Sequence, residues 1–562
     1  MPKNIKHFYF LLFILLCFSC SKKTTPITPT PQPPPAFQLK TLQVNGANNG
    51  FTYYAVNTSP GIRFSFSAPV DHNTVANNFT FKTNAGAAVS IATSYENNDS
   101  TVIVKPSAAL SFITQYALTV GAGLKSKEGS SLQSAVNVTL ITSIDSTDKF
   151  PRISDSALLT LIQQQTFKYF WDFGHPVSGL ARERSNGNNE TVTTGGSGFG
   201  IMAMVAAVNR GFITRSQAVT RLNTITDFLI TKCQRWHGAF SHWINGTTGA
   251  TIPFGNNNGA DIVETSYLVQ GLLTARQYFN STTDANEIAL RDSINSIWNA
   301  VEWNWFTQNG NANGLYWQYN PSYTNTSDIW SIPVSGWNEA LITYVLAASS
   351  TDHSISKNIY DNGWARNGAM KNGNTYYGIV LPLGENLGGP LFLAHYSFLG
   401  INPHDLSDAY ADYWTQDTAH SKINYLYCVY NPNQYNGYSN LCWGLTASDE
   451  QHGYSAHSPT NDDGVISPTA AISSLPYTPT ESMNALQFFY YKLGDKIWGD
   501  YGFKDAFNLT NIWFADSYLA IDQGPQIVMI ENYRTGLLWN LFMSCPEVKS
   551  GMKNLGFQSP NL

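Results

Sequence analysis

The sequence predicts two folded parts in one chain of 562 residues: a small all-β sandwich, then a mostly α-helical domain arranged as an (α/α)6 toroid. Three observations support this fold class. Short alternating strands fill residues 37–145, helical periodicity dominates residues 146–562, and a chain of this length exceeds one ordinary domain. A leader and a proline-rich tether precede both parts.

Residues 1–20 have the features of an export signal. Lys3 and Lys6 form a basic start, and the apolar stretch Phe8–Phe18 is too short to span a bilayer stably. The following Ser-Cys resembles a bacterial lipoprotein signal, in which Cys20 is lipidated and becomes the mature N-terminus. A plain secretory peptide with an incidental cysteine is the alternative. We expect an exported protein, lipid-anchored to the outer membrane on its periplasmic face or at the cell surface.

Residues 21–36 form a Thr/Pro-rich tether, whose six prolines favour an extended spacer. In residues 37–145, segments such as Phe37–Val44 and Gly61–Val70 alternate apolar and polar side chains between Asn-, Gly- and Ser-rich turns. Short strands at this spacing predict a β-sandwich. The segment around Ile62 resembles bacterial Ig-like domains, which implies an accessory module rather than catalysis.

Residues 146–562 alternate helical stretches with loops rich in Gly, Asn, Trp and Tyr. Ser154, Thr214 and Thr480 are suitable N-caps. About eleven helices with loops at their ends favour the toroid of helix pairs, and a solenoid lacks support because no period repeats. The predicted helices are Ser154–Trp171, Gly198–Asn209, Thr214–Cys233, Ala260–Phe279, Ala285–Trp305, Trp337–Ala348, Gly389–Leu399, Asp405–Ile423, Ser467–Ser474, Thr480–Lys492 and Gln526–Phe542.

The composition favours a ligand that is neutral and rich in hydroxyl groups. The formal net charge is −6, and no basic run is long enough to serve a nucleic-acid partner. Only 12% of residues are charged, whereas 14% are aromatic. Apolar faces of sugar rings stack on aromatic side chains, and two carboxyl groups supply the acid and base that cleave a glycosidic bond.

Four cysteines follow the leader: Cys233, Cys428, Cys442 and Cys545. Their spacing fits no zinc site. We also expect no metal and no other cofactor. Each lies in an apolar or aromatic context, which favours buried thiols. One disulfide is possible in an exported protein, although the sequence assigns no pair.

The first candidate catalytic segment is Gly259–Leu273. Asp261 and Glu264 are three residues apart, so they share one face near the start of a helix. The other positions are largely apolar, which predicts a buried helix and therefore a raised carboxyl pKa, as a general acid requires. In the alternative interpretation Asp261 only caps the helix and Glu264 forms a structural ion pair with an arginine.

The second candidate segment is Trp443–Tyr454, a loop with no helical pattern that contains Asp449 and Glu450. A loop that begins with Trp and ends in two acids is typical of a cleft wall, and a solvated acidic turn is the alternative. The nearby Asn461–Gly464 is predicted to be a turn rather than a calcium loop, because the glutamate that closes such a loop is missing.

Other acidic residues give weaker signals. Glu183 lies between two arginines and either holds a substrate loop or forms a structural ion pair. Glu339 opens an apolar helix and either faces the cleft or only interacts with the helix dipole. The aromatic stretch around Phe240, with Trp236, His237, His242 and Trp243, forms either a sugar platform or hydrophobic packing. Serine-hydrolase and phosphate-loop motifs are not formed.

Several separated motifs occur in the order seen in one family. Gly198–Ala203, Val263–Leu272, Trp337–Leu341, Trp443–Asp449 and Ile521–Pro525 resemble the bacterial glucoamylase-like domain, which includes the β-1,2-glucanases of glycoside hydrolase family 144. The resemblance covers roughly residues 150–555. It implies an (α/α)6 toroid, no metal in catalysis, and inverting hydrolysis of β-1,2-glucan that is either endo-acting or sophorose-releasing.

The resemblance also implies roles for single residues. Glu264 matches the general acid and Asp449 is our choice for the base, with their carboxyls ~6.5–9.5 Å apart or more. Substrate contacts are expected from Asp261, Tyr267, Glu339, Trp443, Glu183 and Glu450. The partners expected are the polysaccharide and, through the lipid, a membrane; nucleic acid is not expected and the protein should be a monomer. The rival hypotheses are a glycosidase or lyase acting on another polysaccharide and a non-catalytic glycan-binding lipoprotein.

Overall fold

The computed structural model describes residues 35–323 and 329–562. The predicted signal, Cys20 and nearly all of the tether therefore lie outside the described residues. Among the helices in the described ranges, none is long and apolar enough to cross a membrane.

The first part contains two four-stranded sheets with the strand orders β1-β3-β6-β5 and β2-β8-β7-β4. All neighbours are antiparallel except β2 and β8, which pair in parallel. In β3 the side chains of Ile62, Phe64 and Phe66 are buried while the residues between them are not, so the predicted alternation and the sandwich are confirmed. The strands are Leu39–Val44, Thr52–Val56, Ile62–Phe66, Phe79–Thr83, Ile91–Glu96, Thr101–Pro106, Gln115–Val120 and Val136–Thr142 (β1 to β8), with the short helix α1 at His72–Asn78.

The second part is largely helical, as predicted. Ser154 and Thr214 cap the helices that they precede, and Thr214 forms a full capping box with Gln217. The helices are α2 Asp155–Trp171, α3 Thr194–Arg210, α4 Arg215–Thr231, α5 Ile262–Tyr278, α6 Ala285–Asn299, α7 Leu341–Ser349, α8 Tyr413–Tyr430, α9 Pro468–Ser473, α10 Pro479–Ile497, α11 Ala520–Thr535, α12 Leu537–Met543 and α13 Pro546–Leu555.

Helices α3, α5 and α11 form the centre of this part because small residues let their backbones approach. A Cβ on Gly198 would lie 2.1 Å from the carbonyl oxygen of Tyr267, and one on Gly271 would lie 2.2 Å from that of Gly198. On the other side of α3, a Cβ on Gly524 would lie 2.4 Å from Phe199. Larger residues at these three positions would force the helices apart.

Short strand pairs occupy the loops between the helices, where the sequence indicated few strands. Those that matter for the site are β9 Thr191–Thr193, β12 Ala260–Asp261, and the hairpin of β17 Ala447–Glu450 with β18 Gly453–Ala456. The others are Trp243–Asn245, Thr251–Ile252, Tyr316–Tyr319, Trp330–Pro333, Thr375–Tyr376, Ile379–Val380, Trp498–Gly499, Gly502–Phe503, Phe507–Asn508 and Trp513–Phe514.

Two predicted helices are shorter in the structure: one ends at Asn299 rather than Trp305, and one begins at Leu341 rather than Trp337. Three others differ more. Gly389–Leu399 forms only short 3-10 turns, because the amides of Leu391 and Phe392 donate to the segment at Leu445 and Thr446. The helix predicted over Asp405–Ile423 begins only at Tyr413, where Asp412 caps it.

The third difference is at the C-terminal end. The predicted Gln526–Phe542 is two helices, because Gly536 has φ of 69° and ends the first of them. The sequence interpretation also missed the final helix, Pro546–Leu555, although Pro546 at its first turn is a typical start signal.

Candidate active site

The N-terminal ends of α3, α5 and α11 meet beside strand β17. The amide of Gly195 in α3 donates to the side chain of Glu264 in α5. The amide of Ala520, at the start of α11, donates to the carbonyl oxygen of Glu183. Arg184, the next residue, reaches Asp449 on β17. Segments far apart in the sequence thus bring the predicted acidic residues into one region.

Glu264 is held by one of its two carboxyl oxygens. Its Oε2 accepts hydrogen bonds from the Gly195 amide at 2.7 Å and from the Thr193 hydroxyl at 3.4 Å. Its Oε1 has no hydrogen-bond partner among the described residues, and the residue retains 8% exposure. Burial raises the pKa of Glu264 and the charge of His242 opposes this rise. A mostly buried carboxyl with one free oxygen is suited to carry and deliver a proton.

Asp261 serves both the helix and the neighbouring imidazole. Its Oδ1 accepts from the amides of Val263 and Glu264, so it caps α5, and its Oδ2 lies 3.0 Å from Nδ1 of His242. The capping alternative for Asp261 is therefore correct. Burial lowers the pKa of His242, but Glu264 and Asp261 outweigh it and raise the pKa to about 9. The group beside Glu264 is thus a protonated histidine, not the arginine of the alternative interpretation.

Glu339 lies near the same two carboxyls. Burial raises its pKa to about 7, and the charges of Glu264 and Asp261 contribute. Its carbonyl oxygen accepts a hydrogen bond from the Tyr267 hydroxyl at 3.3 Å. Tyr267 itself is only 3% exposed, and its ring lies against Gly195. Tyr267 therefore helps to hold the backbone at Glu339 and offers almost no surface to a ligand.

Asp449 is surrounded by hydrogen-bond donors. Its Oδ1 accepts from Nη2 of Arg184 at 2.7 Å, and its Oδ2 accepts from the hydroxyl of Ser517. Its own amide donates to Oδ2 of Asp505 at 2.7 Å. Donors on both oxygens stabilise and orient a carboxylate, which is the form that a general base needs.

Behind Asp449 lies a buried pair of carboxyls, Asp505 and Asp522. Burial raises the pKa of Asp505 to about 7, and the charge of Asp449 adds to the effect. The pKa of Asp522 is raised as well, again by burial first and then by Asp505. Two neighbouring buried carboxyls do not both ionise, so this pair retains a proton. The sequence interpretation included Asp522 only within the motif Ile521–Pro525 and missed Asp505 entirely.

Glu183 lies between the Glu264 group and the Asp449 group. Burial, and to a lesser extent the charge of Asp449, raises the pKa of Glu183. The Arg184 guanidinium and the charge of His242 oppose this rise without cancelling it. A carboxyl that interacts with both Asp449 and His242 lies close to both. The ion pair with Arg184, whose Nε is 3.2 Å from Oε2, is also present, so the ion-pair interpretation of Glu183 is confirmed, and its role in holding a substrate loop stays a prediction.

An aromatic side chain outside the predicted set lines the same region. Tyr454 pairs with Asp449 across the β17–β18 hairpin and is 47% exposed. Even so, the surrounding protein and then the charges of Asp522 and Asp505 raise the pKa of its hydroxyl. An accessible ring with its hydroxyl near carboxyls is a surface on which a sugar face can stack.

Two other predicted substrate contacts, Trp443 and Glu450, do not face this region. Trp443 is fully buried, packs against Tyr425 and donates from Nε1 to the carbonyl oxygen of Glu481, so it belongs to the hydrophobic core. Glu450 follows Asp449 on a strand, where successive side chains point to opposite faces. Its carboxyl groups with His457 and Asp463 instead.

The cysteines form no disulfide among the described residues. Cys233, Cys428, Cys442 and Cys545 are all free thiols, and all but Cys233 are buried. Burial raises the pKa of Cys545 to about 12, so this thiol is neutral. The prediction of buried thiols is confirmed for Cys428, Cys442 and Cys545.

Two family models match the chain. Residues 331–546 match the model described as "Putative glucoamylase", and residues 41–142 match the model of a bacterial Ig-like domain. The matches fall in the helical part and in the sandwich respectively.

Relatives with known activity match the helical part. The exo β-1,2-glucooligosaccharide sophorohydrolase (non-reducing end) of Parabacteroides distasonis is 46% identical over 426 residues, which are 72% of this chain. The chain spans 58% of the length of that relative.

Solved structures are similar as well. An endo-β-1,2-glucanase from Chitinophaga pinensis, in complex with sophorotriose and glucose, is 49% identical with a TM-score of 0.70, and the match covers 73% of this chain and 100% of that one. A β-1,2-glucanase from Parabacteroides distasonis is 37% identical with a TM-score of 0.69, covering 93% of this chain and 73% of that one. With these identities and the ordered motifs around Glu264 and Asp449, the chain belongs to the bacterial glucoamylase-like family, glycoside hydrolase family 144.

Proposed function

We propose that this chain is a glycoside hydrolase that cleaves β-1,2-glucan, either internally or by releasing sophorose, and that inverts the anomeric carbon. The observation that carries the proposal is the contrast between the carboxyls of Glu264 and Asp449. Glu264 has a raised pKa and a free oxygen, whereas Asp449 is surrounded by donors. Relatives that act on β-1,2-glucans support the choice of substrate.

The proposed reaction uses the two carboxyls once each. Glu264 donates its proton from Oε1 to the glycosidic oxygen as the C–O bond breaks, and His242 stabilises the carboxylate that results. Asp449, oriented by Arg184 and Ser517, removes a proton from the water that attacks the opposite face of the anomeric carbon. The products are a sugar with inverted configuration and a new non-reducing end, as two-carboxyl inverting hydrolysis requires.

The proposed subsites surround these groups. Glu183 and Glu339 supply carboxyl groups that can accept hydrogen bonds from sugar hydroxyls. Asp261 is fully buried and contributes only through His242. Tyr454 supplies the stacking surface. If the glucan chain can continue past Tyr454, the arrangement suits cleavage within the chain. If its path ends there, the arrangement suits release of sophorose.

The burial of successive helices supports the (α/α)6 toroid as our proposal for the helical domain. Nearly every residue of α3, α5, α7, α9 and α11 is buried, whereas α4, α6 and α10 bury one face only. Inner helices of a toroid are covered on all sides and outer helices on one, so this alternation along the chain is the expected pattern.

We also propose that residues 1–20 export the protein and that a lipid on Cys20 anchors it to the outer membrane, with the Ig-like domain as a spacer. The wild-type chain should then fractionate with membranes in its bacterial host. Cys20→Ala should appear in the soluble fraction. A wild-type chain found only in the soluble fraction would overturn the anchor.

The function is tested by incubating the chain with linear and cyclic β-1,2-glucans and measuring reducing ends, products by mass and the first anomer by NMR. Hydrolysis should release reducing ends from β-1,2-glucan but not from β-1,3- or β-1,4-glucan, and the first product should be the α-anomer. Binding without reducing ends would indicate a glycan-binding protein. Products that absorb in the ultraviolet would indicate a lyase.

A further inference from the structure

Three side chains outside the proposed reaction gather at the end of the β17–β18 hairpin. Glu450 at the end of β17, His457 just after β18 and Asp463 in the following turn each place one ligand atom within 4.8 Å of the other two. Imidazole nitrogens and carboxylate oxygens are common ligands of metal ions in proteins. We call these three residues the hairpin cluster.

His457 is the unusual member of the hairpin cluster. Its side chain is fully buried, and neither ring nitrogen has a hydrogen-bond partner in the described part of the chain. A buried polar group is normally paired with protein or water, so an imidazole with two unpaired nitrogens needs an explanation. A cation bound to one of them is such an explanation.

The two carboxyls of the hairpin cluster also have no side-chain hydrogen bond or cationic partner among the described residues. Within residues 35–323 and 329–562, neither Glu450 nor Asp463 forms a side-chain hydrogen bond or an ion pair with lysine or arginine. Elsewhere the chain pairs histidine with a carboxylate directly, as between His237 and Glu302 at 2.7 Å. The hairpin cluster therefore places two carboxyl groups beside an unpaired imidazole, and no lysine or arginine among the described residues pairs with them.

The backbone at Asp463 is fixed by its neighbours. Asp462 accepts hydrogen bonds from the hydroxyls of Tyr427 and Tyr438, each at 2.7 Å, and from the amide of Gly464 at 3.0 Å. The side-chain amide of Asn508 donates to the carbonyl oxygen of Asp463 at 2.9 Å. These contacts hold the turn in place, so the Asp463 carboxyl is positioned before any ligand arrives.

We propose that Glu450, His457 and Asp463 bind one divalent transition-metal cation, of the Zn²⁺ or Mn²⁺ type. An imidazole nitrogen with two carboxylate oxygens suits these ions, whereas Ca²⁺ and Mg²⁺ prefer oxygen ligands alone. The ion fixes the end of the hairpin to the turn at Asp463. Because Glu450 adjoins Asp449, the ion also fixes the strand that carries the proposed base, and it takes no part in bond cleavage.

The test is metal binding by the whole chain. After treatment with a chelator and its removal, the wild-type protein is titrated with Zn²⁺ and, separately, with Mn²⁺ and Ca²⁺ by calorimetry, and bound metal is counted by mass spectrometry. We expect one equivalent of Zn²⁺ or Mn²⁺, much weaker Ca²⁺ binding, and a rise in the thermal midpoint on binding. Glu450→Gln, His457→Asn and Asp463→Asn should each weaken binding at least tenfold.

The matched control is Glu302→Gln, which removes the carboxylate of the exposed His237–Glu302 pair and should leave metal binding unchanged. Asp463 is exposed, so Asp463→Asn should fold normally. It therefore still tests the metal site if His457→Asn fails to fold. A wild-type chain that binds no metal stoichiometrically would overturn the site. Equal binding by wild type and Asp463→Asn would overturn it too. Glycan cleavage is measured in a separate assay, so a chain that fails to cleave glucan would not be mistaken for one that fails to bind metal.

Discussion

The amide of Gly195 donates a 2.7 Å hydrogen bond to Oε2 of Glu264, and there is no room between them for a side chain. A Cβ on Gly195 would lie 2.6 Å from that oxygen and 2.8 Å from the ring of Tyr267. This contact fixes the proposed acid to the adjacent helix α3, so its orientation depends on helix packing rather than on a flexible loop.

Gly195→Ala should therefore reduce kcat on β-1,2-glucan by roughly 10²-fold, because a small misplacement of a catalytic group has effects of that order. The methyl group also overpacks the site, at a cost of about 1–3 kcal/mol in the free energy of unfolding. Gly61→Ala is the control, since its methyl would lie 3.7 Å from Lys105. Unchanged kcat in Gly195→Ala would show that the contact does not position Glu264.

Glu264→Gln should lower kcat by about 10²–10⁴-fold, because the amide keeps the shape of the side chain but has no proton to deliver. The thermal midpoint should stay close to that of the wild type. Initial rates and a thermal melt on the same preparation make the measurement. A variant that retains near-wild-type turnover would reject Glu264 as the acid.

Arg184→Gln should lower kcat by about 10–100-fold with little change in KM, because Asp449 loses the donor that orients one of its oxygens. Arg184→Lys should restore part of the rate, since it keeps the charge. The control is Arg152→Gln, which breaks an exposed pair with Asp148 far from the site. A rise in KM alone would instead place Arg184 in substrate binding.

Folding stability should depend on the titration of His242. Its pKa is about 9 in the folded chain against an ordinary 6.5, so its charged form stabilises the folded state. This contribution is complete below about pH 6.5 and is lost as the pH rises through about 9. The free energy of unfolding should fall over this range in the wild type, by an amount on the order of 2 kcal/mol, and less in His242→Gln. Denaturant melts at pH 6, 7.5 and 9 measure the difference. His353→Gln, whose imidazole pairs with no acid among the described residues, should behave like the wild type.

Trp443→Phe should destabilise the chain without affecting sugar binding. The variant loses the hydrogen bond to the Glu481 carbonyl and leaves a cavity in the core, with an expected cost of about 1–3 kcal/mol. KM for β-1,2-glucan should not change. A several-fold rise in KM with unchanged stability would return Trp443 to the substrate site.

Local patterns made part of the site predictable. Asp261 and Glu264 were found because a three-residue spacing within an apolar helical stretch specifies one face of a buried helix. Helix starts at Ser154 and Thr214 were likewise fixed by local capping chemistry. These features depend only on neighbouring residues.

Long-range contacts made the rest unpredictable. Arg184 and Asp449 are 265 positions apart, and no local pattern indicates that they pair. Asp505 is an isolated acid in the sequence, and no pattern around it indicated that it lies in the site. Trp443 was misassigned because a tryptophan in an apolar context looks the same whether it faces a ligand or the core. The opposite directions of Asp449 and Glu450 became clear only when the segment proved to be a strand.

The wide separation of the site's components has a consequence for biosynthesis. Glu264 is translated early, but Asp449 and Ser517 follow 185 and 253 positions later, and α11 follows them. A fragment cut before residue 449 thus has the proposed acid without the proposed base, and one cut before residue 520 lacks α11, which packs against α3. We therefore expect hydrolysis only after α11 has packed, so activity would report that these separate segments have folded together.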